Sequence, residues 1–262
     1  MFKVLVFVLA FSILPARVWA DEDVDVELVL AVDISGSMDI DEARVQRSGY
    51  LNSLRHPDFL NAVKSGRLGR IAITYFEWAG RINEDSVIPW QVIDDASDVQ
   101  AFTTKLQARP IGTRRATSVS NAILFGISLI DTNTFSGDRR IIDISGDGPN
   151  NTGPPVIPVR ASALGRGIII NGLAIMLRPS VSTGPLDRYF GDCVIGGPGS
   201  FVLSVHEAED FAVAIRQKLI LEVSGRSPPA HPHLANDVRT DCFMGEKLYP
   251  GFLDRTYPEL GR

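Results

Sequence analysis

Short apolar runs alternate with longer amphipathic stretches along most of this chain. Val29-Leu30-Ala31-Val32 is nearly uninterrupted in its apolar character, as a strand buried on both faces requires. Ile71–Phe76, Arg140–Ser145, Ile168–Met176 and Phe201–Val205 read as further strands, and Ser86–Val92 as another. Only Gly80–Asp85 separates this last strand from Ile71–Phe76, so the two form a hairpin and Ser86–Val92 runs antiparallel at an edge. Between the strands lie stretches of helical period. The clearest carries Val119, Ala122, Ile123, Gly126, Ile127 and Ile130 at steps of three and four, one continuous apolar face. Ile40–Leu54 with a helical or turn segment through Val63, Asp95–Ala108, a segment from Pro158 to Leu164, a short Asp187–Cys193 and a closing Glu209–Val223 complete the set. This alternation predicts an α/β fold: a doubly wound, mostly parallel six-stranded sheet with one antiparallel edge strand and helices on both faces.

The two ends of the chain break the pattern. Lys3, the apolar run Val4–Leu14 and Val18-Trp19-Ala20 have the order of a secretory signal peptide, so residues 1–20 are expected to be removed on export. The run is too short to span a bilayer, although an uncleaved anchor is the alternative. Residues 21–224 then form one domain, and 225–262 a tail rich in Pro and Gly, part of which packs down through Cys242, Phe243, Leu248, Tyr249 and Phe252. Localisation is expected to be periplasmic or secreted from a bacterium, with no transmembrane anchor after cleavage.

Composition narrows the function. The chain of 262 residues has 45% hydrophobic and 22% charged residues, ordinary for a globular domain with a sizeable core. Loss of Lys3 and Arg17 with the leader leaves about seven more acids than bases, against the net −5 of the whole chain. That balance argues against a nucleic-acid partner, which needs a basic surface. Cys193 and Cys242 are the only cysteines; in an exported chain they read as one disulfide, with two free thiols as the alternative.

Candidate chemistry gathers just after the first strand. Asp33, Ser35 and Ser37 alternate across a turn containing Gly36, where a central strand gives way to a helix, the usual ligand position of an open α/β sheet. Oxygen-only donors of this kind suit a hard cation such as Mg²⁺. The same residues could instead cap the following helix, and this stretch alone leaves both readings open. Enzymatic readings find less support. Hydrolases with an Asp nucleophile and Mg²⁺ want a second acid where this chain has Ser35, and no G-x-S-x-G elbow exists. His56, His206, His231 and His233 have no partnered motif, so no catalytic residue is assigned and the chain is read as a non-enzyme.

Two more polar groups belong with the first three. Thr117 begins the clearest helix, as an N-cap or first-turn residue, and Asp147-Gly148 ends a strand as Asp33 does. Asp33-x-Ser35-x-Ser37, then Thr117, then Asp147 resembles the metal-ion-dependent adhesion site (MIDAS) of von Willebrand factor type A (vWA) domains, and the likeness extends over residues 24–224. Thr117–Ile123, Asp143–Asn151 and Tyr189–Phe201 are similar to an exported bacterial branch of that superfamily, DUF1194.

The resemblance implies that Ser35, Ser37 and Thr117 ligate Mg²⁺ (Mn²⁺ being the alternative) through hydroxyls. Asp33 and Asp147 would hold it directly or through water. The remaining position would take an Asp or Glu from a partner protein, making the chain a metal-dependent binding module. The alternatives are an assembly scaffold with a non-engaging metal site and a Mg²⁺-dependent hydrolase. Thr113 is a rival for the Thr117 role. Arg114 and Arg115 either draw the acidic partner or form a solvated loop. Asp39 and Asp41 are expected to serve the helix N-terminus, and Asn150 and Asn151 to make turns. In this fold the Cys193–Cys242 bond would pin the tail on the side of the sheet away from the metal.

Overall fold

A computed structural model describes residues 21–35, 39–177, 184–226 and 240–248. The expected leader and Ser37 lie outside the described residues. The six strands are β1 (Glu22–Asp33), β2 (Ile71–Trp78), β3 (Ile82–Ile93), β4 (Phe135–Gly146), β5 (Ile168–Ile175) and β6 (Val202–Val205). They form one sheet in the order β3-β2-β1-β4-β5-β6, parallel except for the β2/β3 hairpin at the edge. The hairpin turn is tighter than expected, because β3 already begins at Ile82 and carries Asn83 in pairing with Glu77.

Eight α-helices are described: α1 (Ile40–Arg55), α2 (Pro57–Lys64), α3 (Ala96–Gln107), α4 (Val119–Asp131), α5 (Val156–Gly165), α6 (Leu186–Tyr189), α7 (Phe211–Ser224) and α8 (Met244–Lys247). A π-turn, Phe190–Val194, extends α6, and a 3₁₀ turn, Ala208–Asp210, leads into α7. Several boundaries follow from local chemistry. Asp39 and Asp95 start α1 and α3, each accepting backbone N–H groups in a capping box. Asp39 thus serves the helix terminus, as expected.

β1 shows why the sheet is wound on both sides. Its even positions, Val26, Leu28, Leu30 and Val32, enter a core with Tyr50, Phe59, Phe102, Phe211 and Leu219 from α1, α2, α3 and α7. Its odd positions, Val29 and Ala31, enter a second core with Val119, Ile123, Val156 and Phe190 on the other face. Gly126 lets α4 lie close on β4, since a Cβ there would stand 2.8 Å from Ile142 Cδ1.

Winding fixes where a ligand can bind. From β1 the chain first builds outward through β2 and β3, then returns to the other side of β1 for β4. Val32 pairs with Ser145, so the C-terminal ends of β1 and β4 meet at the point where strand order reverses.

Candidate metal centre

Asp33 is the last residue of β1 and is wholly buried. Its Oδ1 accepts the Ser35 backbone N–H at 2.7 Å, and its Oδ2 accepts the Ser35 hydroxyl at 3.1 Å and the Asp147 N–H at 3.2 Å. The Ser35 hydroxyl also stands 3.0 Å from Asp147 Oδ1, so one hydroxyl bridges two carboxylates carried on neighbouring strands. Burial, and then the adjacent Asp147 carboxylate, push the Asp33 carboxyl well above the usual carboxylate range; the hydrogen bonds it accepts oppose this. No Lys, Arg or His among the described residues forms an ion pair with Asp33. Asp147 is partly exposed, so the pair opens toward solvent on one side.

Thr117 is carried to the same end of the sheet by a loop tied at several points. Arg47 of α1 pairs with Glu77 of β2 and donates to the carbonyls of Leu106, Arg109 and Pro110. The Arg114 N–H donates to the Ile34 carbonyl at 2.8 Å, laying the loop alongside Ser35. Ser118 donates its N–H to the Ala79 carbonyl and is itself the N-cap of α4, one residue later than expected. Ala116 takes φ +67°, a left-handed conformation that costs an L-residue about 1–2 kcal/mol. A two-way clasp balances that cost: Thr117 donates its N–H to Asn151 Oδ1 and accepts the Asn151 N–H, both at 2.9 Å. The Thr117 hydroxyl has no hydrogen bond among the described residues, and a Cβ on Gly148 would lie 3.9 Å from it. Thr113, the rival, is exposed, whereas Thr117 is buried.

The donor types fit a hard cation: two carboxylates sharing a hydroxyl, a threonine hydroxyl beside Gly148 with no hydrogen bond among the described residues, and a buried carboxyl with no basic partner among them. Among the described residues no group of three or more His, Cys, Asp or Glu could hold a metal. The oxygen donors present here, two carboxylates with serine and threonine hydroxyls, are of the kind that suits a hard cation.

Several contributors were not foreseen. Gln46 of α1 donates to the Asp33 carbonyl at 2.8 Å, and the Asp33 N–H reaches toward Ser145 Oγ at 3.4 Å. Asn150 and Asn151 are not simple turn residues. Asn150 is fully buried and accepts the Ser120 N–H and hydroxyl on its Oδ1, while Asn151 clasps Thr117. Their signal in the sequence was weak, since Asn after Gly and Pro usually marks a turn.

Cys193 and Cys242 form the disulfide, with Cα atoms 5.5 Å apart. Its position corrects the expectation that it pins the tail away from the metal side. The helical segment carrying Cys193 starts near the metal end, with Phe190 against Gly146 and Gly172, and the chain reaches Ile170 near the start of β5 only at Gly196. Tail residues Gly245 and Glu246 instead pack on Asn150, three residues beyond Asp147.

Among comparisons with known proteins, the family described as "Protein of unknown function (DUF1194)" matches residues 23–227. No curated protein matches the chain by sequence. Solved structures share the fold at low identity. The pilus adhesin SpaC from Lactobacillus rhamnosus GG is 15% identical, with a TM-score of 0.58 over 76% of this chain and 30% of its own. The vWF domain of the pilus tip protein Mfa5 from Porphyromonas gingivalis is 10% identical, with a TM-score of 0.55 over 79% of this chain and 98% of its own. Proximal thread matrix protein 1 from the mussel byssus, in a form with a zinc-occupied MIDAS motif, is 13% identical, with a TM-score of 0.51 over 78% of this chain and 49% of its own. The chain spans less than half the length of the adhesin and the byssal protein. No helix among the described residues is long and apolar enough to cross a membrane.

Proposed function

Since the chain belongs to the DUF1194 family and has the vWA fold, we propose that it is an exported binding module that captures an acidic residue of a partner protein through a divalent cation. The carrying observation is Asp33, a fully buried carboxylate that shares the Ser35 hydroxyl with Asp147 and has no basic partner among the described residues. Asp33, Ser35, Ser37, Thr117 and Asp147 would hold the ion, Mg²⁺ or Mn²⁺. Bound there, it supplies positive charge that neutral hydroxyls quench little, so a desolvated Asp or Glu from outside is attracted strongly. The chain's own residues do the rest. Ser35 holds the two carboxylates together, Asn151 holds Thr117, and the Arg114 backbone lies beside Ser35 while its guanidinium donates to Asn83 Oδ1 at 2.9 Å. Export through residues 1–20 agrees with the disulfide. The pilus and matrix proteins sharing the fold, one with a metal in its MIDAS motif, support a binding role over catalysis.

The test is partner capture from the envelope of the source cell with Mg²⁺ and with EDTA. The proposal expects a captured protein that is lost with EDTA and with Asp33→Ala/Ser35→Ala. Capture unchanged by both contradicts it and favours a scaffold whose contacts lie elsewhere.

A further inference from the structure

The tail segment Thr240–Leu248 lies beyond the stretch matched by the family, yet it ends against the candidate centre. Cys242 ties it to Cys193, and Thr240 hydrogen-bonds Asp192 beside that bond. Four residues past Cys242, the buried Glu246 accepts Asn150 Nδ2 on its Oε1 at 2.8 Å. Gly245 presses so closely that a Cβ would overlap the Asn150 carbonyl oxygen, and Met244 packs on the core shared by α4 and α5. Asn150 in turn donates its N–H to the Tyr189 hydroxyl and receives Ser120 at the start of α4. Its neighbour Asn151 clasps Thr117.

We propose that the disulfide-strapped segment Thr240–Leu248 is a positioning element for this centre, Glu246 holding Asn150 and, through the Asn150–Asn151 backbone, the Thr117 and Asp147 loops. Its metal consequence rests on the binding function proposed above; its effect on the loops does not. Burying a carboxylate with one hydrogen-bond partner is unfavourable, and Glu246 Oε2 has none among the described residues. A short helix of four residues cannot hold such a contact by itself. The covalent tether can, because it keeps Glu246 near Asn150 at high effective concentration. Reduction of Cys193–Cys242 therefore frees the segment, and the centre becomes sensitive to redox conditions through a bond that lies outside it.

Hydrogen exchange on the metal-free, processed protein tests this beside a Mn²⁺ titration. Reduction of the disulfide, or Glu246→Ala, should speed exchange of the Thr117, Ser120 and Asn151 amides about tenfold while the β1–β2 ladder stays protected. The same changes should weaken Mn²⁺ binding about tenfold, as loss of an outer support typically does. Glu246→Gln, whose amide oxygen still accepts from Asn150, should restore both readouts. Unchanged exchange at these three amides after reduction overturns the proposal. Reduction alters no side chain of the clasp, so it decides the matter if Glu246→Ala loosens the whole fold. Failure of the oxidised wild type to take up Mn²⁺ would count against the binding function alone, since the exchange result stands without metal.

Discussion

The protein buries carboxylates in two places and treats them oppositely. Under α7, Asp143 of β4 and Glu222 of α7 are both fully buried, and the ammonium of Lys218, equally buried, sits between them. Asn171 donates to the same Glu222 oxygen at 3.1 Å. Four residues along the strand path from Asp143, Asp147 meets Asp33, and there no basic side chain among the described residues pairs with Asp33. Leaving a carboxylate buried without a counter-charge costs several kcal/mol unless a cation or proton arrives. Where the chain supplies the cation the cluster is structural. Where it does not, and Asp147 is partly open to water, the proposed function has an external ion take the place of the lysine.

The sharpest way to break this contrast is to remove the internal cation. Lys218→Met leaves Asp143 and Glu222 buried together and should cost about 3–5 kcal/mol in urea unfolding, with Mn²⁺ uptake by the folded fraction intact. A loss below about 1 kcal/mol would mean that the cluster does not depend on its lysine.

A proton can relieve the same cluster in part. Burial, followed by the Asp143 charge, raises the Glu222 carboxyl from 4.5 to about 7, against the lowering effects of Lys218 and Asn171. The folded state therefore keeps a proton that the unfolded chain has released. That contribution is fully present below about pH 4.5 and is lost as pH rises through about 7. Its size is at most roughly 3 kcal/mol, and Glu222→Gln should flatten the decline in denaturation curves taken from pH 5 to 8. An unaltered slope in this variant would place the proton elsewhere.

The smallest effect is expected on the other side of the comparison. Thr117→Val removes a hydroxyl that has no hydrogen bond among the described residues, so stability should hardly move. Mn²⁺ affinity should fall several-fold, corresponding to about 1 kcal/mol. A fall in stability with unchanged affinity would make Thr117 a structural residue only.

Much of this contrast was legible before the fold was known, but unequally. The alternation of apolar runs with helical stretches gives the doubly wound architecture and the antiparallel edge strand, and β1 is buried on both faces residue by residue. Asp33, Ser35 and Asp147 were grouped through the resemblance to the adhesion-site motif, since the stretch after the first strand alone fitted a helix cap equally well, and the fold does bring these three together. What escaped were the residues acting through others. Arg47 and Gln46 sit in an ordinary amphipathic helix, and Asn150 looks like a turn former until its burial is seen. Asp143 left a faint mark, one acid inside the run Ile141–Ile144, with Lys218 and Glu222 spaced i, i+4 on a mostly apolar helix. The side on which the tail packs depends on how the residues after Cys242 run, toward Asn150, and periodicity alone does not fix that.

The central claim, that the Asp33 side of the comparison is left open for an external ion, is tested most directly by calorimetric titration of the processed, oxidised protein with Mn²⁺ and Mg²⁺, beside Asp33→Asn. The account predicts one saturable ion per chain in the wild type and none in Asp33→Asn. No uptake by the folded wild type, or uptake that survives Asp33→Asn unchanged, would contradict it.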